Sequence, residues 1–339
     1  MGAAVAALPE QLTEAAATAR EAFSGMERAG GSDVRSIAAF GLGTGGTACA
    51  AVGALGGPGL AVPFWAGHGS ALPGFVDATT LVLVASSSGE TEETLTATEK
   101  AIARGAQVVA IGGDERSALG RLAAAAGVPW SPVRPGNPLA RCALGSVTVA
   151  LLVALARVGL LPDPTASVRT ASEALAQRRD ALLAPVGPPA ELARRLGRTF
   201  PLVYGSAGGS AVAAQWWKSQ VNLNAKTPAF AASLPGLAHD ELAGWGQGGD
   251  VTRQTMSLVL LRHAGEAPST VALFDAVRAA TDEVMADLFE VRTDGADELG
   301  RFLDLSWVGT LVSLRLAARE GVDPGPVAAV DQARAAAIA

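Results

Sequence analysis

The chain is poor in the side chains that most site chemistry uses. Its 339 residues include three histidines, two cysteines, one tyrosine, and only three lysines among 26 basic residues. Two cysteines, Cys49 and Cys142, exclude a disulfide-built scaffold; both lie in apolar stretches and read as buried free thiols of a reducing cytoplasm. None of the lysines (Lys100, Lys218, Lys226) follows a suitable glycine loop, which excludes a Walker-type phosphate loop. No second histidine stands at ligand spacing from His239, so no metal site is expected.

Charge is scarce as well. Charged residues make up 17% of the chain, against about 25% in ordinary globular domains. The net charge is -6 and no concentrated basic face can be found, which argues against a nucleic-acid partner. The uncharged, mostly apolar run over residues 142–156 falls short of the ~20 apolar residues that span a bilayer, so it reads as a buried helix and no membrane anchor is expected. Residues 1–20, with Glu10, Glu14 and Arg20, suit an amphipathic helix better than a signal peptide.

What the chain does have is apolar residues, 49% of the total, and 40 glycines. Ser36 to Phe40 is a short apolar run that ends in Gly41-Leu42-Gly43-Thr44-Gly45-Gly46-Thr47, ahead of a small-residue helix from Ala48 to Leu55. Leu81 to Ala85 ends in Ser86-Ser87-Ser88-Gly89-Glu90-Thr91, and a helical stretch to Arg104 leads to Val108-Val109-Ala110-Ile111. Strands alternating with helices predict right-handed crossovers and a mainly parallel sheet covered on both faces. A second unit starts near Pro201, where Gly208-Gly209-Ser210-Ala211 echoes Gly45-Gly46-Thr47-Ala48, and Ser257 to Leu261 takes the place of the Leu81 strand. The fold class is therefore α/β, with two doubly wound domains. The expected division is an N-terminal helical segment over 1–34, a first domain over 35–161, a helical linker over 162–194, and a second domain with its tail over 195–339.

Gly41-x-Gly43-x-x-Gly46 matches the dinucleotide fingerprint in its letters, but that fingerprint wants an acidic residue ~20 positions on for the ribose. No Asp or Glu occurs between Asp33 and Asp77, so a tight turn or a different anion site is favoured and no cofactor is expected. The serine-rich segment is more informative. It places four hydroxyls and a glycine at the carboxyl end of a buried strand, where free amides of the next helix point outward, a combination that can hold one phosphate without lysine. An ordinary serine-rich helix cap is the competing reading. His68, in a glycine-rich loop, and His263, just past a strand, read as surface or structural, whereas His239 stands beside Asp240 and Glu241.

Several separate motifs in order carry a resemblance: Thr44-Gly45-Gly46-Thr47-Ala48, Ser86-x-Ser88-Gly89-x-Thr91-Glu92-Glu93-Thr94, the segment from Trp217 through Asn222-Leu223-Asn224-Ala225-Lys226 to Phe230, Leu234-Pro235, and His239-x-Glu241. Together they resemble the bifunctional phosphoglucose/phosphomannose isomerase family, built from two sugar-isomerase (SIS) domains, from about residue 35 to the C-terminus. The resemblance implies an aldose–ketose isomerase of glucose 6-phosphate and mannose 6-phosphate acting through a cis-enediol, without metal or cofactor, as a homodimer. It implies that Gly46, Thr47, Ser86, Ser88, Thr91 and Thr94 surround the substrate phosphate, that Arg141 stabilises the enediolate, and that His239 opens the sugar ring. In homodimers of this type the histidine can come from the neighbouring subunit.

Two positions depart from the family pattern. The family base is the glutamate of Asn-Glu-Asn, and here Leu223 stands in its place. The family lysine that assists ring opening falls on Arg334, a poor acid. Leucine can neither take nor return a proton, so turnover requires another carboxylate, for which Asp240 is the candidate, while Glu241 is expected to keep a structural role beside His239. Two functions stay open: an isomerase with a relocated base, towards which the family likeness leans, and a phosphosugar-binding or sensing protein of the same fold.

Overall fold

The computed structural model describes residues 1–26, 34–133 and 140–338. The chain divides into two compact units. The first comprises Ala6–Ala176 with Asp297–Gly300; the second comprises Met1–Val5, Gln177–Ala296 and Arg301–Ala339.

In the first unit five parallel strands, β1 (Ser36–Gly41), β2 (Phe64–Gly67), β3 (Thr80–Ala85), β4 (Gln107–Ile111) and β5 (Trp130–Ser131), form one sheet in the order β2-β1-β3-β4-β5. Every residue of β3 is buried, as expected of a parallel strand covered on both faces. Ala38, Phe40, Val82, Val84, Val108 and Ala110 form one face of the sheet and pack with Ala97, Ala101 and Leu119. Helix Leu144–Arg157, which covers most of the uncharged run 142–156, buries eleven of its fourteen residues and packs against helices Leu8–Ala22 and Thr44–Gly56. Among the described residues, no helix is long and apolar enough to cross a membrane. Cys49 and Cys142 are free, but only Cys49 is fully buried; Cys142 is half-exposed. Burial pushes the Cys49 thiol up to about 12.

The second unit repeats the plan with four parallel strands, β6 (Phe200–Gly205), β7 (Phe230–Ser233), β8 (Met256–His263) and β9 (Asp287–Thr293), in the order β7-β6-β8-β9. Its core joins Leu202, Tyr204, Leu258 and Leu260 to Phe274 and Val277. The sequence pattern finds β1, β3, β4, β6 and β8, all apolar runs. It misses the edge strands β2, β5, β7 and β9; β2 and β7 are apolar but only four residues long and follow closely on Pro63 and Pro228, which reads as loop.

Both sheets reverse their strand order beside their first strand, between β1 and β3 and between β6 and β8. In doubly wound folds the crevice outside the carboxyl ends of the strands at such a reversal is where ligands bind. Close packing accounts for Gly41, Gly45 and Gly46 of the β1 turn, and a left-handed φ of +54° for Gly43. A Cβ on Gly45 would lie 2.1 Å from the Ala85 carbonyl oxygen, so helix Thr44–Gly56 sits directly on the backbone of β3. Gly45→Ala is expected to lower stability by about 1–3 kcal/mol through overpacking, measured by chemical denaturation. Gly57→Ala, where a Cβ meets nothing within 4 Å, should leave stability unchanged.

Candidate functional site

At the carboxyl end of β3 the chain turns through Ser86–Thr91 into helix Glu92–Ala103. The buried Ser86 hydroxyl accepts a hydrogen bond from the Gly89 amide (3.2 Å) and donates to the Thr91 hydroxyl (3.1 Å). The exposed Ser88 hydroxyl accepts from the Glu90 amide at 3.2 Å. Thr91 is the N-cap of the helix, but its side chain makes no capping bond to that helix. Two hydroxyls are thus paired with each other at a helix amino end, where the backbone field favours an anion.

The structure brings the expected phosphate residues onto two adjoining turns. Gly46 and Thr47 lie in the first turn of helix Thr44–Gly56, after β1, and β1 pairs with β3 through Gly41 and Ala85. Thr47 is half-buried and its hydroxyl donates to the Gly43 carbonyl at 3.0 Å. Thr94 differs from the others. It is 1% exposed, and its hydroxyl oxygen has no hydrogen-bond partner. His68, read from sequence as surface or structural, lies on the same rim: its Nδ1 is 3.2 Å from the Gly41 carbonyl, and its ring fills the space a side chain at Gly46 would take. Only the end of edge strand β2 could have signalled this, and the sequence pattern does not reveal that strand.

A cavity of about 390 Å³ opens on the other side of the serine turn, lined by Ser88, Glu90, Gly113, Arg116, Ala140 and Ala143 among others. Arg141 lies in the short helical turn Ala140–Cys142, between two of these residues. A larger cavity, about 470 Å³, sits at the opposite edge of the sheet by Leu81 and Gln107. Among the described residues Gln107 supplies its single polar side chain, which falls short of the convergent polar groups of a sugar site.

The remaining candidates belong to the second unit. The exposed His239 follows the 3-10 turn Gly236–Ala238, its amide donating to the Gly236 carbonyl at 2.9 Å. Asp240 is exposed and its Oδ1 accepts from the Glu241 amide at 2.6 Å. Glu241 is committed elsewhere: its Oε1 accepts from the hydroxyl of the buried Tyr204, which itself accepts from Trp245 Nε1 at 3.3 Å. Burial, then the Glu241 carboxylate, push the Tyr204 phenol above its ordinary value, so it stays a donor. The side chain of Arg334 lies outside the described residues.

Leu223 occupies a single π-helical turn, Val221–Ala225, that extends helix Gly209–Gln220; such turns are frequent at functional sites. Leu223 is half-buried, between exposed Asn222 and fully buried Asn224. The Asn224 amide donates to Gln220 Oε1 (3.1 Å) and Ser313 Oγ (2.9 Å). Lys226 Nζ donates to the carbonyls of Leu223 (2.5 Å) and Pro326 (2.6 Å), tying this turn to the C-terminal segment.

The second unit does not repeat the hydroxyl turn. Gly41 pairs with Ala85 and Gly205 with Leu261, so Ser86 corresponds to Arg262, Glu90 to Glu266, and Thr91 to Ala267. Arg262 Nε donates to Glu266 Oε2 at 2.7 Å, both side chains are 4% exposed or less, and the guanidinium lies 4.2 Å from the Phe274 ring centroid. The corresponding turn is therefore closed by an internal ion pair. The glycine echo is also displaced by two residues. The helices are capped by Gly43 and Gly208, which pairs Gly45 with Ser210 and Thr47 with Val212. Ser210 Oγ donates to the Leu261 carbonyl (3.2 Å), in the place where Gly45 meets Ala85.

Residues 186–336 match the bacterial phospho-glucose isomerase C-terminal SIS domain. The bifunctional phosphoglucose/phosphomannose isomerase of Caldicellulosiruptor bescii is 30% identical over 266 residues, 77% of each chain. The enzyme of the same name from Aquifex aeolicus is 29% identical over 263 residues, again 77% of each. Among solved structures, the tagatose-6-phosphate ketose/aldose isomerase of Escherichia coli superposes with a TM-score of 0.69 at 14% identity, covering 96% of this chain and 94% of that one, a likeness of fold. Two SIS-type units and a relative at this identity over most of both chains place the protein in the bifunctional phosphoglucose/phosphomannose isomerase family.

Proposed function

We propose that the chain binds a hexose 6-phosphate and interconverts aldose and ketose forms, glucose 6-phosphate or mannose 6-phosphate with fructose 6-phosphate. The observation that carries this reading is the Ser86–Thr91 turn, with paired hydroxyls at the amino end of a twelve-residue helix. Family relatives bearing isomerase names support the reaction class. In this reading Ser86, Ser88 and Thr91, with Gly46, Thr47 and Thr94 behind them, hold the phosphate, and His239 assists ring opening, with Arg334 at the family lysine position. A carboxylate removes the C2 proton, Arg141 stabilises the enediolate oxygen at C1, the hydroxyl proton passes from O2 to O1, and the carboxylate returns its proton to C1.

Asp240 is the carboxylate we assign to that step, because it is exposed while Glu241 is engaged by Tyr204. A coupled assay for fructose 6-phosphate formation should show turnover by the unmodified chain and a loss of ~10²- to 10⁴-fold in Asp240→Asn. Full activity in that variant would remove Asp240 from the mechanism. Leu223 favours a second reading, a phosphosugar-binding protein without turnover. That reading predicts no product from the unmodified chain, and isomerase activity gained in Leu223→Glu.

Both readings require the cradle. The double variant Ser86→Ala/Thr91→Ala should weaken glucose 6-phosphate binding by at least about tenfold, the equivalent of one charge-assisted hydrogen bond, by isothermal titration. Unchanged affinity would place the phosphate elsewhere.

A further inference from the structure

The serine turn is anchored by its own acidic residue. Glu90 Oε1 accepts a hydrogen bond from the Ala118 amide at 3.0 Å, bridging 28 positions of sequence. Ala118 is the first residue of helix Ala118–Ala126, whose N-cap Ser117 accepts from the Gly120 amide at 3.1 Å. One residue farther, the Leu119 amide donates to the Gly89 carbonyl at 2.9 Å. Gly89 has a left-handed φ of +69°, and a Cβ there would lie 2.4 Å from Ser117 Oγ and 3.0 Å from Gly113 Cα. The β3 turn therefore rests backbone against backbone on the β4 turn, and Glu90 and Leu119 lock the two together.

Two helix amino ends adjoin this one turn. That of helix Ala118–Ala126 is filled by Ser117 and by the Glu90 carboxylate, an internal anion. That of helix Glu92–Ala103 carries Thr91 with no capping bond from its side chain. We infer that Glu90 is a positioning residue: by occupying the neighbouring helix end it fixes the Ser86–Thr91 turn with its hydroxyls in place and leaves the Glu92–Ala103 end for the phosphate. The inference rests on the reading that this turn binds the phosphate. A turn fixed before ligand arrives spares the binding step the cost of ordering it. The carboxylate's charge also opposes a second anion nearby, so the amide substitution, which keeps the acceptor and removes the charge, separates the two effects.

The test compares the full chain with Glu90→Ala and Glu90→Gln by isothermal titration with glucose 6-phosphate, with thermal melts and amide exchange at Ala118 recorded without ligand. Glu90→Ala should weaken binding about tenfold and speed exchange at Ala118, while Glu90→Gln, which restores the acceptor, should bind within about twofold of the parent. Equal binding by the parent and Glu90→Ala overturns the positioning role alone. An equal loss in both variants also overturns it, since charge rather than the hydrogen bond would then govern affinity. If the parent itself does not bind glucose 6-phosphate, the phosphate reading falls and this inference falls with it.

Discussion

The site depends on backbone meeting backbone along the carboxyl edge of the first unit's sheet. Helix Thr44–Gly56 sits on the Ala85 carbonyl through Gly45, and the turn after β3 rests on the turn after β4 through Gly89 and Gly113. In a parallel sheet all strands end on the same edge, so these close approaches set the serine turn between two others. The glycine content noted in the sequence is therefore partly a packing requirement. It removes the side chains that would hold the turns apart.

Much of this was legible in the sequence. Buried parallel strands write themselves as unbroken apolar runs, and β1, β3, β4, β6 and β8 stand where those runs lie. The serine turn was legible as a hydroxyl-rich segment after a buried strand, a place where hydroxyls cap a helix or hold an anion. What was not legible depends on contacts across distant segments. Nothing in the neighbourhood of Glu90 announces its bond to Ala118, and β2, four residues just after Pro63, is too short to show that His68 reaches the rim beside Gly46. The internal repeat was readable only to within two residues, because the letters match Gly45 with Gly208 whereas the helix caps pair Gly45 with Ser210.

The two units show how one architecture comes to carry one hydroxyl turn. At equivalent places after the third strand of each sheet, the first unit has Ser86, Glu90 and Thr91 and the second has Arg262, Glu266 and Ala267. The buried Arg262–Glu266 pair satisfies itself and offers no hydroxyl. The second unit holds other groups: an exposed Asp240, a Glu241 held by Tyr204, and a π-helical turn that carries Leu223. The Lys226 ammonium, in a chain with three lysines, serves that turn's backbone.

Everything proposed for the chain rests on the first unit's serine turn holding the phosphate. Backbone amide shifts followed by NMR during titration with glucose 6-phosphate test it most directly. The account predicts saturable changes concentrated at Ser86–Glu92 and at Gly43–Thr47, with the Arg262–Ala267 turn unmoved. Changes centred on Arg262–Ala267, or none in the serine turn at saturation, would contradict it.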